Sequence, residues 1–217
     1  MDKILIIGTG GLAREFTSWF QDCFEIVGYS SKDHNDHSQF NLPGTAHNED
    51  VTPELIGTNL AVLCIGNPVI KKQVFDKFSR AGFSFPSIIH HSSVNSDSAS
   101  IQDGVVVAPN CVVSSNVKIG KLAYINFSCG IGHDAEVGDF VQINPGSQVG
   151  GKCKIGDQVL IGSNSTVLHG MSIGNLAVVA SGAVIFSNVL DEVTVIGNPA
   201  KRIPAFDKKL EQSWGVN

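Results

Sequence analysis

An aliphatic side chain recurs at every sixth position from Ile101: Ile101, Val107, Val113, Ile119, Ile125, Ile131, Val137, Ile143, Val149, Ile155, Ile161, Val167, Ile173, Val179 and Ile185. These fifteen positions keep their register without a slip, and Gly follows the aliphatic at seven of them (Gly120, Gly132, Gly138, Gly150, Gly156, Gly162, Gly174). The third place after it favours Asn or Gly, as at Gly104, Asn110, Asn116, Gly146, Asn164, Gly170 and Gly182. Four places after it stands a small or modest apolar residue such as Cys111, Ala123, Cys129, Ala135, Ser147 or Ala183. A period of six fits neither a helix of 3.6 residues per turn nor the alternation of a hairpin ladder. It suits a coil of short strands whose corners take the left-handed backbone conformation that Gly and Asn adopt cheaply. The pattern predicts a parallel β-helix with its aliphatic residues stacked about 4.8 Å apart down the inner faces.

The pattern also resembles the hexapeptide repeat of left-handed β-helices, in which three hexads close a triangular coil of 18 residues. Fifteen hexads would then make about five coils. The register fails at Asp191, and the run from Ile196 to Ile203 leaves the column.

The first ninety residues alternate differently. Lys3–Ile7 reads as a buried strand, Leu12–Phe20 as a helix, Glu25–Ser30 and Leu60–Ile65 as strands and Val69–Ala81 as an amphipathic helix. Strand and helix in alternation predict a small Rossmann-like parallel sheet, an α/β domain. The stretch 32–48, rich in His, Asn, Asp and Ser, reads as a loop. The expected organisation is an α/β domain over 1–90, a left-handed parallel β-helix over 91–203 and a short tail over 204–217, in which Lys208, Lys209 and Trp214 would sit on a short helix packed across the prism.

Composition narrows the function. A formal charge of −5, with 16% charged residues, supplies no basic field to hold nucleic acid. The longest apolar runs fall far short of the roughly 20 residues a membrane helix needs, and the start lacks the apolar core and cleavage site of a signal peptide. A cytoplasmic protein without membrane insertion is expected. The cysteines, Cys23, Cys64, Cys111, Cys129 and Cys153, are odd in number and form no CxxC pair, so they read as reduced core residues and no metal is expected.

Two places could carry chemistry. Gly8-Thr9-Gly10-Gly11-Leu12-Ala13 follows a strand and opens a helix, so backbone N–H groups and a helix N-terminus would face a phosphate. A tight turn with no ligand is the plain alternative. Ser30 and Ser31 end the second strand, where a ribose would lie, and Asp33 is the nearest carboxylate. The second place is His133, two positions after Ile131 and so near a corner, with its ring directed outward. Steps of 18 place Ser115, His133, Gly151 and His169 in one column. Gly151 would leave room beside the imidazole for a slender chain, and His169 would stand about 9.6 Å away, two coils off. A neutral imidazole can accept the proton of an attacking amine. Asp134 could orient the ring if the corner turns both side chains the same way. Lys152, Lys154, Lys201 and Arg202 are candidates for a phosphate-bearing ligand or are ordinary surface charges.

From Ile4-Leu5-Ile6-Ile7-Gly8-Thr9-Gly10-Gly11, through Cys64-Ile65-Gly66-Asn67, to Gly197-Asn198-Pro199-Ala200-Lys201, the chain resembles the bacterial sugar acetyltransferases. These join a nucleotide-sugar-binding α/β domain to a left-handed β-helix, as in N-acetyltransferases of UDP- and GDP-linked amino sugars and sialic acid O-acetyltransferases. The resemblance implies acetyl-CoA as donor, a nucleotide-linked amino sugar as acceptor, and a homotrimer with sites between neighbouring prisms. It gives His133 the part of general base, with Asp134 where relatives often carry Glu. It implies that Asn126 helps hold the sugar, that Gly8, Gly10, Gly11, Gly66 and Asn67 line the nucleotide pocket, and that the backbone N–H of Gly151 meets the thioester carbonyl. Gln142 stands where some relatives place a His near that carbonyl, and His169 joins the acetyl-CoA side. Three other functions stay open: O-acetylation of a sialic acid or other sugar, a non-catalytic nucleotide-sugar-binding trimer, and a zinc hydratase on the same prism, which needs three converging imidazoles.

Overall fold

The computed structural model describes residues 1–204, so the expected helix around Lys208, Lys209 and Trp214 lies outside the described residues. The described residues divide into two compact units, one comprising Met1–Gly66 and Ile70–Pro86, the other Asn67–Val69 and residues 87–204.

The first unit is built on β1 (Asp2–Ile7), α1 (Gly11–Phe20), β2 (Phe24–Ser30), α2 (Asn35–Gln39), β3 (Thr45–His47), α3 (Pro53–Ile56) and β4 (Ala61–Leu63), with α4 (Pro68–Arg80) following. Its sheet is wholly parallel in the order β3-β2-β1-β4. Ile4, Leu5 and Ile6 are fully buried in the central strand, and α1 turns Ala13, Phe16, Thr17 and Phe20 inward. That spacing of three and four residues sets one helix face on the core.

The stretch 32–48 is not the loop its composition suggests. Asp33 accepts hydrogen bonds from the Asn35 backbone N–H and side-chain amide, at 2.8 and 3.0 Å, and so nucleates α2. β3 then adds an edge to the sheet through Gly28↔Thr45 and Ser30↔His47. Polar residues that favour turns locally are overridden here by the exposed edge of β2, which needs a partner.

The second unit is a three-sided left-handed parallel β-helix. Its first face stacks the strands at Ile88, Val106, Tyr124, Gln142, Leu160, Val178 and Thr194, with Lys201–Arg202 antiparallel at the end. The second face stacks Val94, Val112, Gly130, Gln148, Thr166 and Val184, and the third Ser100, Lys118, Glu136, Lys154 and Ser172. Pairings such as Tyr124↔Gln142, Gly130↔Gln148 and Glu136↔Lys154 each step by one coil. The column of aliphatic residues and the small residues Ala123, Ala135, Cys153 and Ala183 form the core. Corners take positive φ, even where the residue is bulky: Asn110 (58°), Leu122 (56°), Asp134 (58°), Phe140 (58°), Lys152 (59°) and Leu176 (58°).

The coil is longer at both ends than its aliphatic signature. Ile88 pairs with Val106 and Val94 with Val112 ahead of Ile101, but Asn95 occupies an inward place opposite Val113 and hides the repeat. Beyond Ile185 the last coil is two residues short, since Val189 bridges Ile173 and Thr194 pairs with Val178. Asp191 therefore falls on a corner, where its Oδ1 accepts the Asn175 N–H at 2.8 Å.

Candidate active site

His133 stands on the corner between the second and third faces, after the strand Gly130–Ile131. Its side chain is 53% exposed, so the ring projects from the prism as the corner position predicts. Asp134 follows in the left-handed conformation, and this backbone turn swings its carboxylate toward the same ring. The Oδ2 of Asp134 lies 2.8 Å from His133 Nδ1. A carboxylate only accepts, so Nδ1 carries the hydrogen and Nε2 holds the free lone pair. The hydrogen bond from His133, then that from Asn116 Nδ2 at 3.0 Å, keeps the Asp134 carboxyl below the usual carboxylate range, with Lys152 adding to the effect. Asn116, Asp134 and Lys152 follow one another up the corner at steps of one coil, and the Lys152 N–H donates to the His133 carbonyl at 2.8 Å.

Gly151 lies directly beneath the ring. A Cβ there would stand 2.6 Å from His133 Nε2 and 2.9 Å from two ring carbons. The expected open lane over Gly151 is thus taken up by the imidazole itself. Gly151 is buried, and its backbone N–H donates to no acceptor among the described residues. His169 is nearer than the column arithmetic implies: the two ring centroids are 5.8 Å apart, not about 9.6 Å. Coil spacing fixes backbones, and with no side chain on Gly151 both rings lean into the gap. Among the described residues, no three His, Cys, Asp or Glu side chains converge as a metal site.

The remaining prism candidates are not gathered at this corner. Asn126 precedes the corner between the first and second faces, is buried, and accepts the Phe127 N–H at 2.7 Å. Gln142 projects from the first face, across the prism from the His133 corner, and is 1% exposed, donating to Asn144 Oδ1 at 3.1 Å. Lys154 lies on the third face, and Lys201 and Arg202 are exposed at the end of the first. Asn116 escaped the sequence reading, although subtracting one coil from Asp134 finds it.

In the first unit, Gly8 takes φ +112°, and its missing Cβ lets the loop approach the Cys64 carbonyl at the end of β4, just ahead of Gly66. Gly10 caps α1 without a side-chain bond. Thr9, buried, reaches Ser31 Oγ and the Asp33 carbonyl, each at 3.4 Å. Ser30 corrects the reading of the strand end: it is 1% exposed and donates to the Asn48 carbonyl at 2.8 Å, so it fastens the sheet edge rather than facing a ribose. Asp33 is held in the turn before α2. Asn67, which belongs to the second unit, accepts the Val69 N–H on its Oδ1 at 3.0 Å as α4 begins.

The sequence pattern of the family described as bacterial transferase hexapeptide (six repeats) matches residues 134–169 and 152–187. Among solved structures, PerB from Caulobacter crescentus in complex with CoA and GDP-perosamine is 26% identical, with 94% of this chain and 98% of that chain covered and a TM-score of 0.85. An alanine variant of one histidine of GDP-perosamine N-acetyl transferase from the same organism, again with CoA and GDP-perosamine, is 25% identical over 94% and 97% of the chains, at a TM-score of 0.86. The acetyltransferase domain of PglB from Neisseria gonorrhoeae shares the fold at 24% identity, 94% and 100% coverage and a TM-score of 0.82. No helix among the described residues is long and apolar enough to cross a membrane. By its repeat and its architecture, the chain resembles the nucleotide-sugar N-acetyltransferases of the left-handed β-helix type over nearly its whole length.

Proposed function

We propose that the protein is an acyltransferase that carries the acetyl group of acetyl-CoA to the amine of a nucleotide-linked sugar, as part of surface or protein glycan synthesis. The observation that carries this reading is the oriented imidazole: His133 Nδ1 is tied to Asp134 at 2.8 Å on an exposed corner, which leaves Nε2 as a base. The likeness to enzymes crystallised with CoA and GDP-perosamine supports both substrates.

In the proposed reaction the sugar amine attacks the thioester carbon, forming C–N while the C–S bond breaks. His133 Nε2 takes the amine proton and returns it to the departing CoA thiolate. Asp134 holds the ring and stabilises the imidazolium formed in passing. The unengaged N–H of Gly151 can donate to the thioester oxygen as negative charge develops there. Lys152 and His169 flank the same corner and would meet the acetyl-CoA chain. The Gly8 to Gly11 loop, with Ser31 and Gly66, receives the nucleotide. A homotrimer working in the cytoplasm completes the proposal. Incubating acetyl-CoA with a panel of UDP-, GDP- and dTDP-linked amino sugars, with free thiol and product mass as readouts, tests it. A gain of one acetyl group on an amino sugar is expected, and acetylation confined to hydroxyl groups or no thiol release with any member overturns it.

A further inference from the structure

The corner between the first and second faces is lined by a column of small polar side chains. Ser93, Cys111, Cys129, Ser147 and Ser165 follow one another at steps of 18 residues. Each donates to a carbonyl of the next coil: Ala108 at 2.7 Å, Asn126 at 3.0 Å, Asn144 at 3.2 Å, Gly162 at 2.8 Å and Ala180 at 3.0 Å. A hydroxyl fills this part as a thiol does, so the hydrogen bond itself does not call for sulfur. The two cysteines nevertheless stand on consecutive coils, held there by the pairing Val112↔Gly130.

Coils stack about 4.8 Å apart, which sets the two Cα atoms inside the roughly 4.4–6.8 Å span of disulfides. The sulfurs are in hydrogen-bond contact with each other. Cys129, as donor to Cys111, holds the Cys111 thiol below its ordinary range against the opposing effect of burial, while the same contact and burial push the Cys129 thiol up. Cys111 is thus favoured as the attacking sulfur, and Cys129 stands beside it as the resolving one. Both are buried, at 1% and 2% exposure, so the oxidant that suits them is one little larger than water.

The carbonyls that accept these two S–H groups belong to Asn126 and Asn144, and Asn144 Oδ1 in turn receives Gln142 Nε2 at 3.1 Å. A disulfide has no S–H to give. Its formation would leave both carbonyls without their thiol donors and shift the corner that carries them.

We propose that Cys111 and Cys129 are a modification site, which hydrogen peroxide joins in a disulfide between coils, and that this bond slows acetyl transfer by releasing Asn126 and Asn144. The second half rests on the acetyltransferase reading, in which Asn126 helps hold the sugar and Gln142 lies on the acetyl-CoA side. In the first step the Cys111 thiolate attacks one peroxide oxygen, the O–O bond breaks, and the departing hydroxide takes up the thiol proton as water. The sulfur of Cys129 then displaces hydroxide from the Cys111 sulfenic acid, forming S–S and releasing a second water with the Cys129 proton. Both sulfurs are oxidised and the peroxide is reduced.

Tryptic mapping of the full-length protein without reductant, after graded hydrogen peroxide, tests the site. Cleavage at Lys118 and Lys121 puts the two cysteines on separate peptides, so the disulfide reads as a linked pair lighter by two hydrogens that dithiothreitol separates. Turnover should fall about 2- to 10-fold in step with the linked pair, the range of an ordinary hydrogen bond, and return with dithiothreitol. Cys111→Ser and Cys129→Ser copy the hydroxyls already in the column, so each should keep its turnover, form no linked pair and lose the reversible peroxide effect. If either serine variant melts early, counting alkylatable thiols in the wild type decides, with a paired loss at Cys111 and Cys129 expected. Peroxide that oxidises the exposed Cys23 but yields no linked pair overturns the proposal, as does a linked pair with undiminished turnover. A wild type without acetyltransferase activity overturns the functional reading instead, and the peptide map still decides the disulfide.

Discussion

The imidazole of His133 rests on the Cα of Gly151, so close that a Cβ at residue 151 would come within 2.6 Å of Nε2. Gly151 does not need to be Gly for its own backbone, since its φ lies outside the left-handed region. Its smallness serves the neighbouring coil. Gly151→Ala should therefore fold with a nearly unchanged melting temperature and push the ring off its position, with a loss in kcat of about 100-fold for a displacement near 1 Å. Steady-state kinetics beside a melting curve would check this, and a variant with normal turnover would show that the ring position is immaterial.

The orienting pair predicts a graded series. Asp134→Asn keeps the size of the side chain but no longer favours hydrogen on Nδ1, and kcat should fall about 10- to 100-fold, less than on loss of the base. Asn116→Ala removes only the second bond to the carboxylate, and its effect should stay below about fivefold. The depressed Asp134 carboxyl fixes the sign of the acid dependence: the bond is complete above the ordinary carboxyl range and is lost as pH falls below it. Carbon-detected NMR titration of the carboxyl in wild type and Asn116→Ala would report it, and an Asp134 midpoint at or above the model-peptide value would contradict the account.

The prism was legible because every hexad repeats the same demand, one inward aliphatic and one left-handed corner. Its ends were not, because Asn95 stands at an inward place and a two-residue deletion moves the last inward contacts to Val189 and Val195. His133 could be singled out by its column, and Asn116 by the same arithmetic. The 5.8 Å approach of His169 could not, since periodicity positions Cα atoms and says nothing of rings leaning across a glycine.

The core ladder should be costly to open. Ile143 is fully buried in a column where coils above and below fix the space. Ile143→Ala should cost about 2–5 kcal/mol, measurable by chemical denaturation. A loss under about 1 kcal/mol would mean that the coils close over the gap.

Lys71 gives the first unit a pH signature. It is 1% exposed, and burial lowers its ammonium from 10.5 to about 7. Below about pH 7 both folded and unfolded chains hold the proton, and the burial penalty is complete. As pH rises from there the folded chain releases it first, so stability rises with pH. Cys64, whose thiol burial pushes up, acts in the opposite sense above about pH 9. Scanning calorimetry between pH 7 and 9 should show a rising melting temperature in the wild type and a flatter one in Lys71→Met. Equal slopes would contradict the assignment.

The most direct test of the account is the turnover of His133→Ala with acetyl-CoA and the amino-sugar nucleotide that the panel identifies. The ring is half exposed and, among the described residues, makes its one side-chain hydrogen bond to Asp134, so the variant should fold, assemble and bind both substrates as the wild type does. Its kcat should fall by about 10²- to 10⁴-fold, the contribution of a general base. A His133→Ala enzyme that acetylates within a few-fold of the wild-type rate would contradict the central claim.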